Sequence, residues 1–297
     1  MGGIKVIEIR NLHKAFGNKI VLNNLSVVIP DSKIFGLVGI NGAGKSTLLR
    51  IISGVFKSDN GSVLIDGVEV YENPKVKSKI FFLPDEPFYS SNTTANNVCD
   101  MYLAFYDFSK QEYLDYLKEF DVPLNKSLST LSKGMKRQVF VSLALAIKPK
   151  YLLLDEAFDG LDPLARLKFK RMIIDLVENN DTTIIISSHS LRELEDICDS
   201  YGLIDNGVIE STGDIQEKIN SYHKYQVAFS EVVVKEDFDI EFISYKQDRR
   251  IIKVVVKEDL EEFSKKIQKF NPLIIDEINI DFEELFIIEV ESRGYIK

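Results

Sequence analysis

The chain has 297 residues, of which 45% are hydrophobic and 28% charged, and this balance is typical of a folded globular protein. Its net charge of −9 argues against broad electrostatic attraction to nucleic acid, so no nucleic-acid partner is expected. No apolar run approaches the roughly 20 residues that a membrane span needs, and the N-terminus lacks a signal-peptide pattern, so we expect the chain not to cross a membrane by itself.

The beginning of the chain has the pattern of several short strands. They are predicted at residues 4–9, 21–29 and 61–70, the last as a pair around an Asp-Gly turn. Phe16 stands in a turn-like stretch between the first two. An exposed ring there would stack on an adenine ring, whereas a ring folded back would belong to the core, and the sequence leaves both interpretations open.

Residues 39–47 read Gly-Ile-Asn-Gly-Ala-Gly-Lys-Ser-Thr and satisfy G-x-x-x-x-G-K-[ST], the phosphate-binding loop called Walker A. A strand-like run at 34–38 leads in and a helix-like run at 48–52 leads out, which is the order that this loop requires. Its glycines allow backbone N–H groups to converge on phosphate oxygens, while Lys45 reaches the β- and γ-phosphates and Ser46 ligates Mg²⁺. The predicted nucleotide-binding residues are Gly39, Asn41, Gly42, Ala43, Gly44, Lys45, Ser46 and Thr47.

A mostly helical insertion is predicted at about residues 88–150, after the strand-like run at 80–83. The apolar spacing is helical from 96 to 120 and again from 139 to 147, where Pro149 ends the second helix. Ser132 is a natural N-cap and Gly134 leaves the backbone accessible. This helix start is therefore either a second anion site or an ordinary capped helix.

Residues 151–154 are apolar or aromatic without alternation, which predicts a strand buried on both faces, as in a parallel sheet. Asp155 and Glu156 follow at its carboxyl end, the edge where open α/β sheets bind ligands. Asp155 is placed to hold Mg²⁺ directly or through water, and Glu156 to polarise an attacking water. The acids of a solvated turn would look the same, but their combination with Walker A favours magnesium–nucleotide chemistry.

A second buried strand is predicted at residues 182–189, after an amphipathic helix at 164–178. His189 is the last of the polar residues that end this strand, and so it reaches the same sheet edge as the two acids. It is either a structural histidine or a contact to the γ-phosphate, and its position favours the contact.

By this point the residues resemble the ATP-binding subunits of ABC transporters over roughly the first 215 positions. The family's motifs occur in their usual order: an aromatic at Phe16, Walker A at 39–47, the signature at 131–135, Walker B at 152–156, the D-loop at 160–162, and the switch histidine His189. The resemblance implies an α/β fold, with a P-loop ABC ATPase domain over residues 1–215 that binds ATP and Mg²⁺.

The resemblance also implies the role of each residue. It implies adenine stacking for Phe16, phosphate and Mg²⁺ binding for Lys45 and Ser46, metal support for Asp155, catalysis for Glu156 as the base, and γ-phosphate sensing for His189. In the family the signature reaches the nucleotide on the opposite subunit, so Ser132 and Gly134 are expected to act in trans. One chain would then supply half of each composite site, in a homodimer or in a heterodimer with a second ABC ATPase domain.

A separate transmembrane permease is the other partner that the resemblance implies. The mechanical step is expected to pass to it through a groove beside the helical insertion, near Phe88 and Tyr89. This places the chain in the cytoplasm, peripheral on the inner face of the cell membrane. Cys99 and Cys198 are expected to be buried, reduced thiols, because they lack metal-ligand spacing.

The sequence departs from the family's motifs at several positions. In the signature Leu-Ser-Gly-Gly-Gln, Lys133 and Met135 replace the third and fifth residues, while Ser132 and Gly134 are retained. The Q-loop glutamine aligns with Asp85, whose shorter, charged side chain is still able to ligate Mg²⁺ or its water. Ala157-Phe158 stands where Pro-Thr is commoner.

Residues 216–297 contain no nucleotide motif and read as a small α+β domain, like the short extension of bacterial export ATPases. Strands are predicted at 226–229, 240–245, 249–256 and 273–280, and helices at 259–270 and 282–292. The acidic cluster at 258–262 is expected to start a helix rather than to bind metal. A role in dimer contact or regulation is a hypothesis that unchanged dimerisation and ATPase rate after deletion from Gln216 would contradict.

The sequence therefore predicts the ATP-hydrolysing subunit of an ABC transporter, powering export through a separate membrane partner. Two alternatives stay open: a soluble ABC ATPase acting on ribosomes or DNA, and a regulator that senses ATP without hydrolysing it. The altered signature and Asp85 are the features that favour the second alternative.

Overall fold

The computed structural model describes residues 6–292, which form two compact units divided between Thr212 and Gly213. The strands of the first unit are β1 (Val6–Phe16), β2 (Lys19–Pro30), β3 (Ile34–Val38), β4 (Asn60–Ile65), β5 (Val68–Glu69), β6 (Ile80–Leu83), β7 (Tyr151–Asp155), β8 (Thr183–Ser188), β9 (Ser200–Asp205) and β10 (Val208–Asp214). Its helices are α1 (Lys45–Ile52), α2 (Pro74–Lys77), α3 (Ala95–Tyr102), α4 (Lys110–Glu119), α5 (Lys133–Ile147), α6 (Pro163–Asn180) and α7 (Leu191–Glu195).

The core sheet of the first unit has the strand order β10-β9-β3-β8-β7-β6. In its centre β3 pairs in parallel with β8 and β9, and β7 pairs in parallel with β6 and β8. Every residue of β3, β7 and β8 is buried, which explains why these strands are continuous apolar runs. The segments after β3, β6, β7 and β8 therefore meet at one edge of this sheet.

A second, antiparallel sheet with the order β2-β1-β4-β5 packs over α1 in the same hydrophobic core. The first predicted strand starts at residue 4, but residues 4 and 5 lie outside the described part of the chain. In the structure β1 runs on to Phe16, so this ring stands at the end of a strand rather than in a loop.

The insertion between β6 and β7 is helical, as predicted, with different boundaries. The single helical stretch expected over residues 96–120 is two helices, α3 and α4, which residues 103–109 separate. The Tyr113 hydroxyl on α4 donates a hydrogen bond to the Ala95 carbonyl on α3, with 3.0 Å between the oxygens. Helix α5 begins at Lys133, six residues before the predicted start, because the Ser132 side chain caps it.

The second unit consists of α8 (Ile215–Asn220), β11 (His223–Phe229), β12 (Ser244–Asp248), β13 (Ile251–Val256), α9 (Leu260–Ile267), β14 (Pro272–Ile278) and α10 (Phe282–Ser292). Its antiparallel sheet has the order β12-β13-β11-β14. The Tyr225 ring of β11 stacks on Phe263 of α9, with 4.3 Å between ring centroids. Asp259 caps α9, so the prediction that the acidic cluster starts a helix is confirmed.

Some sequence-based boundaries are wrong. A strand was expected over residues 240–245, but β12 covers Ser244–Asp248, in which two half-buried residues precede three exposed polar ones and no apolar alternation occurs. Cys99 and Cys198 are buried free thiols, as expected. Within residues 6–292 we find no helix with the length and apolar character needed to cross a bilayer.

Candidate functional site

The loop of residues 39–44 joins buried β3 to α1 and follows the predicted strand–loop–helix order. Gly44 has φ 114°, and a β-carbon there would lie 2.8 Å from Leu22 Cδ2, so both its backbone angle and its close packing require glycine. Gly39, Asn41, Gly42 and Ala43 complete the turn, in which Asn41 and Gly42 are exposed. A glycine-rich turn that leads into a helix is a binding site for phosphate.

The Lys45 side chain is 6% exposed and is held inside this loop. Its Nζ donates a hydrogen bond to the Gly39 carbonyl at 2.6 Å and lies 3.5 Å from Glu156 Oε1. A buried cation facing the open end of a loop of backbone donors is the arrangement that binds a phosphate chain. The structure thus brings Lys45 and Glu156 together from sequence positions 111 residues apart.

Asp155 is 1% exposed and sits between two hydroxyl groups. Its Oδ1 accepts hydrogen bonds from Ser46 Oγ at 3.1 Å and from Ser187 Oγ at 2.7 Å. One hydroxyl and one carboxylate oxygen at this spacing are the hard ligands that Mg²⁺ prefers, so the residues present fit that ion.

Glu156 adopts φ 48°, a left-handed backbone angle that is costly for a residue with a β-carbon. Its N–H lies 3.1 Å from Ser187 Oγ, to which it donates, and its Oε2 lies 2.9 Å from His189 Nδ1. Asp159 joins this cluster, since ligand atoms of Glu156, Asp159 and His189 lie within 4.8 Å of one another. The left-handed backbone at Glu156 therefore places its carboxylate within contact distance of both Lys45 and His189.

The hydrogen bond with Glu156 raises the pKa of His189 above its ordinary value of 6.5, while partial burial acts in the opposite direction. We expect Glu156→Gln to lower the His189 pKa, because it removes the negative charge. The pKa is measured from the imidazole signals in a pH titration followed by NMR. Glu112→Gln, which breaks a surface ion pair with Lys148, is the control and should leave the His189 titration unchanged.

The same interaction links folding stability to pH. Because the folded-state pKa of His189 is raised, its contribution to stability is fully present below the unfolded-state pKa and is lost as pH rises through the folded-state pKa. The stability difference between wild type and Glu156→Gln should therefore shrink over that rise in pH. A His189 pKa that is the same in both proteins would contradict this account.

A cavity of about 470 Å³ opens over the loop. It is lined by most of the predicted site residues, namely Phe16, Asn41, Gly42, Gly44, Lys45, Ser46, Thr47, Asp85 and Glu156, and also by Lys19 and Val21, which sequence reasoning missed. The Phe16 ring is 47% exposed and meets the Phe56 ring edge-on, with 5.7 Å between centroids. Phe16 is thus both supported by a second ring and available at the mouth of the cavity.

Asp85 lines this cavity, but its Oδ1 accepts a hydrogen bond from Arg137 Nη2 at 2.7 Å. Sequence reasoning missed Arg137, because a charged residue near the start of a helix, next to Lys133 and Lys136, has no signal for a partner 52 residues away. Ser187 was missed as well, although it fixes both Walker B acids. Its only sequence signal is a hydroxyl at the end of a buried strand.

Ser132 and Gly134 are not among the described residues that line the cavity. Ser132 Oγ accepts a hydrogen bond from the Met135 N–H at 3.2 Å and so caps α5. Gly134 packs so tightly on the Gly160 carbonyl that a β-carbon would collide with it. Within one chain the signature therefore packs on the D-loop, and its Ser132 and Gly134 contribute nothing to the wall of the cavity over the phosphate loop.

Comparison with known proteins identifies relatives along almost the whole chain. A sequence model of the ABC transporter family matches residues 22–159. The ABC transporter ATP-binding protein YtrB of Bacillus subtilis is 32% identical over 97% of this chain and 99% of its own. The lantibiotic transport ATP-binding protein SrtF of Streptococcus pyogenes is 31% identical over 75% of this chain and 98% of its own.

Among solved structures, an ATP-binding subunit of an ABC transporter superposes with a TM-score of 0.65 at 27% identity, covering 71% of this chain and 91% of that one. This likeness confirms the predicted P-loop cassette fold. The covered share of the chain matches the size of the first unit.

Proposed function

We propose, on the premise that this chain belongs to the ABC transporter family of ATP-binding subunits, that the cavity over residues 39–47 is its ATP hydrolysis site. The chain is an ATPase subunit that powers transport. One observation carries the assignment of the site. The Lys45 ammonium and the Glu156 carboxylate face each other at 3.5 Å beside the Ser46–Asp155 pair, all at one edge of a parallel sheet.

The proposed chemistry follows from these positions. The loop N–H groups and Lys45 bind the phosphate chain and neutralise its charge. Glu156 accepts the proton of the attacking water, and His189 holds the Glu156 carboxylate in place through the 2.9 Å contact. Ser46 and Asp155 are the residues that would hold Mg²⁺, which supplies charge neutralisation on the phosphate oxygens when bound. Phe16 supplies the stacking surface for adenine.

Steady-state hydrolysis by the purified chain tests this proposal. We expect phosphate release from ATP that depends on Mg²⁺ and stops when the ion is chelated. Nucleotide binding without any turnover, even with the membrane partner present, would support a non-hydrolysing sensor instead.

We further propose that two ATPase domains form the working unit, as a homodimer or as a heterodimer with a related subunit. The observation that supports this is that Ser132 and Gly134 do not line the cavity over the phosphate loop of their own chain. Ser132 is exposed at the N-terminus of α5, and the N-terminus of a helix offers N–H groups to an anion supplied by another molecule. We assign residues 1–215 to the ATPase domain that this chain contributes to the dimer.

The proposed membrane partner is a transmembrane permease, which places the chain peripherally on the inner face of the membrane. The Phe88 groove, a cavity of about 570 Å³, supports this proposal; it is lined by Asp85, Glu86, Pro87, Phe88, Tyr89, Lys133, Lys136, Arg137 and Phe140. The Phe88 side chain is 92% exposed there, as expected for a ring that a partner covers. Export is the proposed direction, as expected from the sequence of the short C-terminal extension.

A further inference from the structure

A buried arginine joins helix α5 to the loop after β6. The Arg137 side chain is 2% exposed, and its guanidinium donates three hydrogen bonds to that loop. The acceptors are the Pro84 carbonyl at 3.0 Å, the Asp85 carbonyl at 2.7 Å, and Asp85 Oδ1 at 2.7 Å. Burial lowers the pKa of Arg137 from its ordinary value, and the Asp85 carboxylate acts in the opposite direction. Arg137 is therefore satisfied in the interior by this one segment.

Asp85 stands in the wall between two cavities. On one side it lines the nucleotide cavity with Lys45 and Glu156. On the other side it lines the Phe88 groove, to which Arg137 also contributes. A displacement of this segment from either side therefore changes the shape of both cavities.

Helix α5 links the same pair to the signature. Ser132 caps the helix five residues before Arg137, and Gly134 packs on the Gly160 carbonyl of the D-loop. The Arg137 guanidinium therefore connects Asp85, in the wall of the nucleotide cavity, to helix α5, which carries the signature. Its three acceptors fix the position and the orientation of the segment, because the guanidinium is planar and its donors are rigidly arranged.

We propose that Arg137 is a positioning residue for hydrolysis, which holds Asp85 in the wall of the nucleotide cavity and couples it to helix α5. This inference rests on the proposed function of the site and adds a residue to it. Asp85 acts here as the half-exposed partner of the buried Arg137 guanidinium, which differs from an independent role as a metal ligand.

A double-mutant cycle tests the proposal in the full chain. The variants are Asp85→Asn, Arg137→Gln and the two combined, and Asp85→Asn preserves the volume of the side chain. The matched control is Asp31→Asn, which weakens the ion pair between Asp31 and Lys150, at 3.1 Å, near the opposite edge of the core sheet. The measurements are kcat and KM for ATP, nucleotide affinity without Mg²⁺, the melting temperature, and hydrogen exchange of residues 84–89.

We expect each single variant to lower kcat on the order of 10- to 100-fold, because a small misplacement in the site has effects of this size. Nucleotide affinity should change far less, since Lys45 and its loop are untouched. Hydrogen exchange of residues 84–89 should rise in both single variants. The combined variant should have the same kcat as the slower single variant. The two fold-losses in kcat should not multiply. The control should lower only the melting temperature.

Three results would overturn the role of Arg137. The first is a kcat in the single variants equal to that of the control, and the second is a pair of kcat losses that multiply in the combined variant. The third is a loss of kcat that matches the fraction of unfolded protein in each sample. Multiplied losses would show that Asp85 acts independently, as a metal ligand would. ATP hydrolysis by the wild-type chain in the same assay separates failure of the Arg137 inference from failure of the proposed function. An active wild type with unaffected variants overturns only this inference, whereas an inactive wild type overturns the function on which it rests.

Discussion

Glu156→Gln should lower ATP hydrolysis by at least about 100-fold while ATP still binds, because loss of a general base costs 10²–10⁴-fold in rate. The side chain stays the same size, so the contact with His189 and the turn at φ 48° are retained. The base is lost, and so is the attraction between the carboxylate and Lys45. ATP that binds without being hydrolysed should then keep two chains together.

The measurements are phosphate release and the molecular mass in solution with and without ATP. We expect the variant to accumulate as a dimer when ATP is present. Glu112→Gln removes a carboxylate of the helical insertion and should behave as wild type. A Glu156→Gln protein that hydrolyses ATP at the wild-type rate would refute the assignment of Glu156 as the base.

Lys45→Ala should weaken nucleotide binding by about 100-fold, because charge-assisted hydrogen bonds contribute roughly 1.5–3 kcal/mol each and the ammonium makes more than one to the phosphates. The variant also leaves the Gly39 carbonyl without the donor that now lies 2.6 Å away. Fluorescent-nucleotide titration measures the loss of affinity directly.

The matched control is Lys33→Ala, which breaks a surface ion pair with Asp199 at the opposite end of β3. It should retain wild-type affinity, because it changes the charge of the protein by the same amount without touching the loop. Equal affinity of Lys45→Ala and wild type would count against the phosphate-loop assignment.

The core sheet was predictable because burial on both faces forces continuous apolar runs, as in β7 and β8. Strands β9 and β10 were not predicted, although Asn206-Gly207 between them is a strong turn signal with positive φ at both residues. The predicted position of β12 was wrong because three of its residues are exposed and polar and the strand shows no apolar alternation. The fully buried strands β7 and β8 carry an apolar pattern that this edge strand lacks.

The site was predictable where a motif fixes local geometry, as at Lys45 and Ser46. Motif order also suggested that Glu156 and His189 reach the same edge, and their 2.9 Å contact shows that they do. The Arg137–Asp85 pair was beyond sequence reasoning, because it depends on how the helical insertion packs against the loop after β6. The left-handed backbone of Glu156 has no sequence signal, since strain of this kind is imposed by the surrounding fold.

Mixing two inactive variants tests the composite site most directly. Lys45→Ala removes the phosphate loop of one chain, and Ser132→Arg blocks the signature of the other. In a mixed dimer the intact loop of the second chain faces the intact signature of the first. We expect hydrolysis to return on mixing, up to about a quarter of the wild-type sites, because half of randomly paired dimers are mixed and each holds one intact site. A mixture no more active than the two separate samples would contradict a nucleotide shared between two copies of this chain.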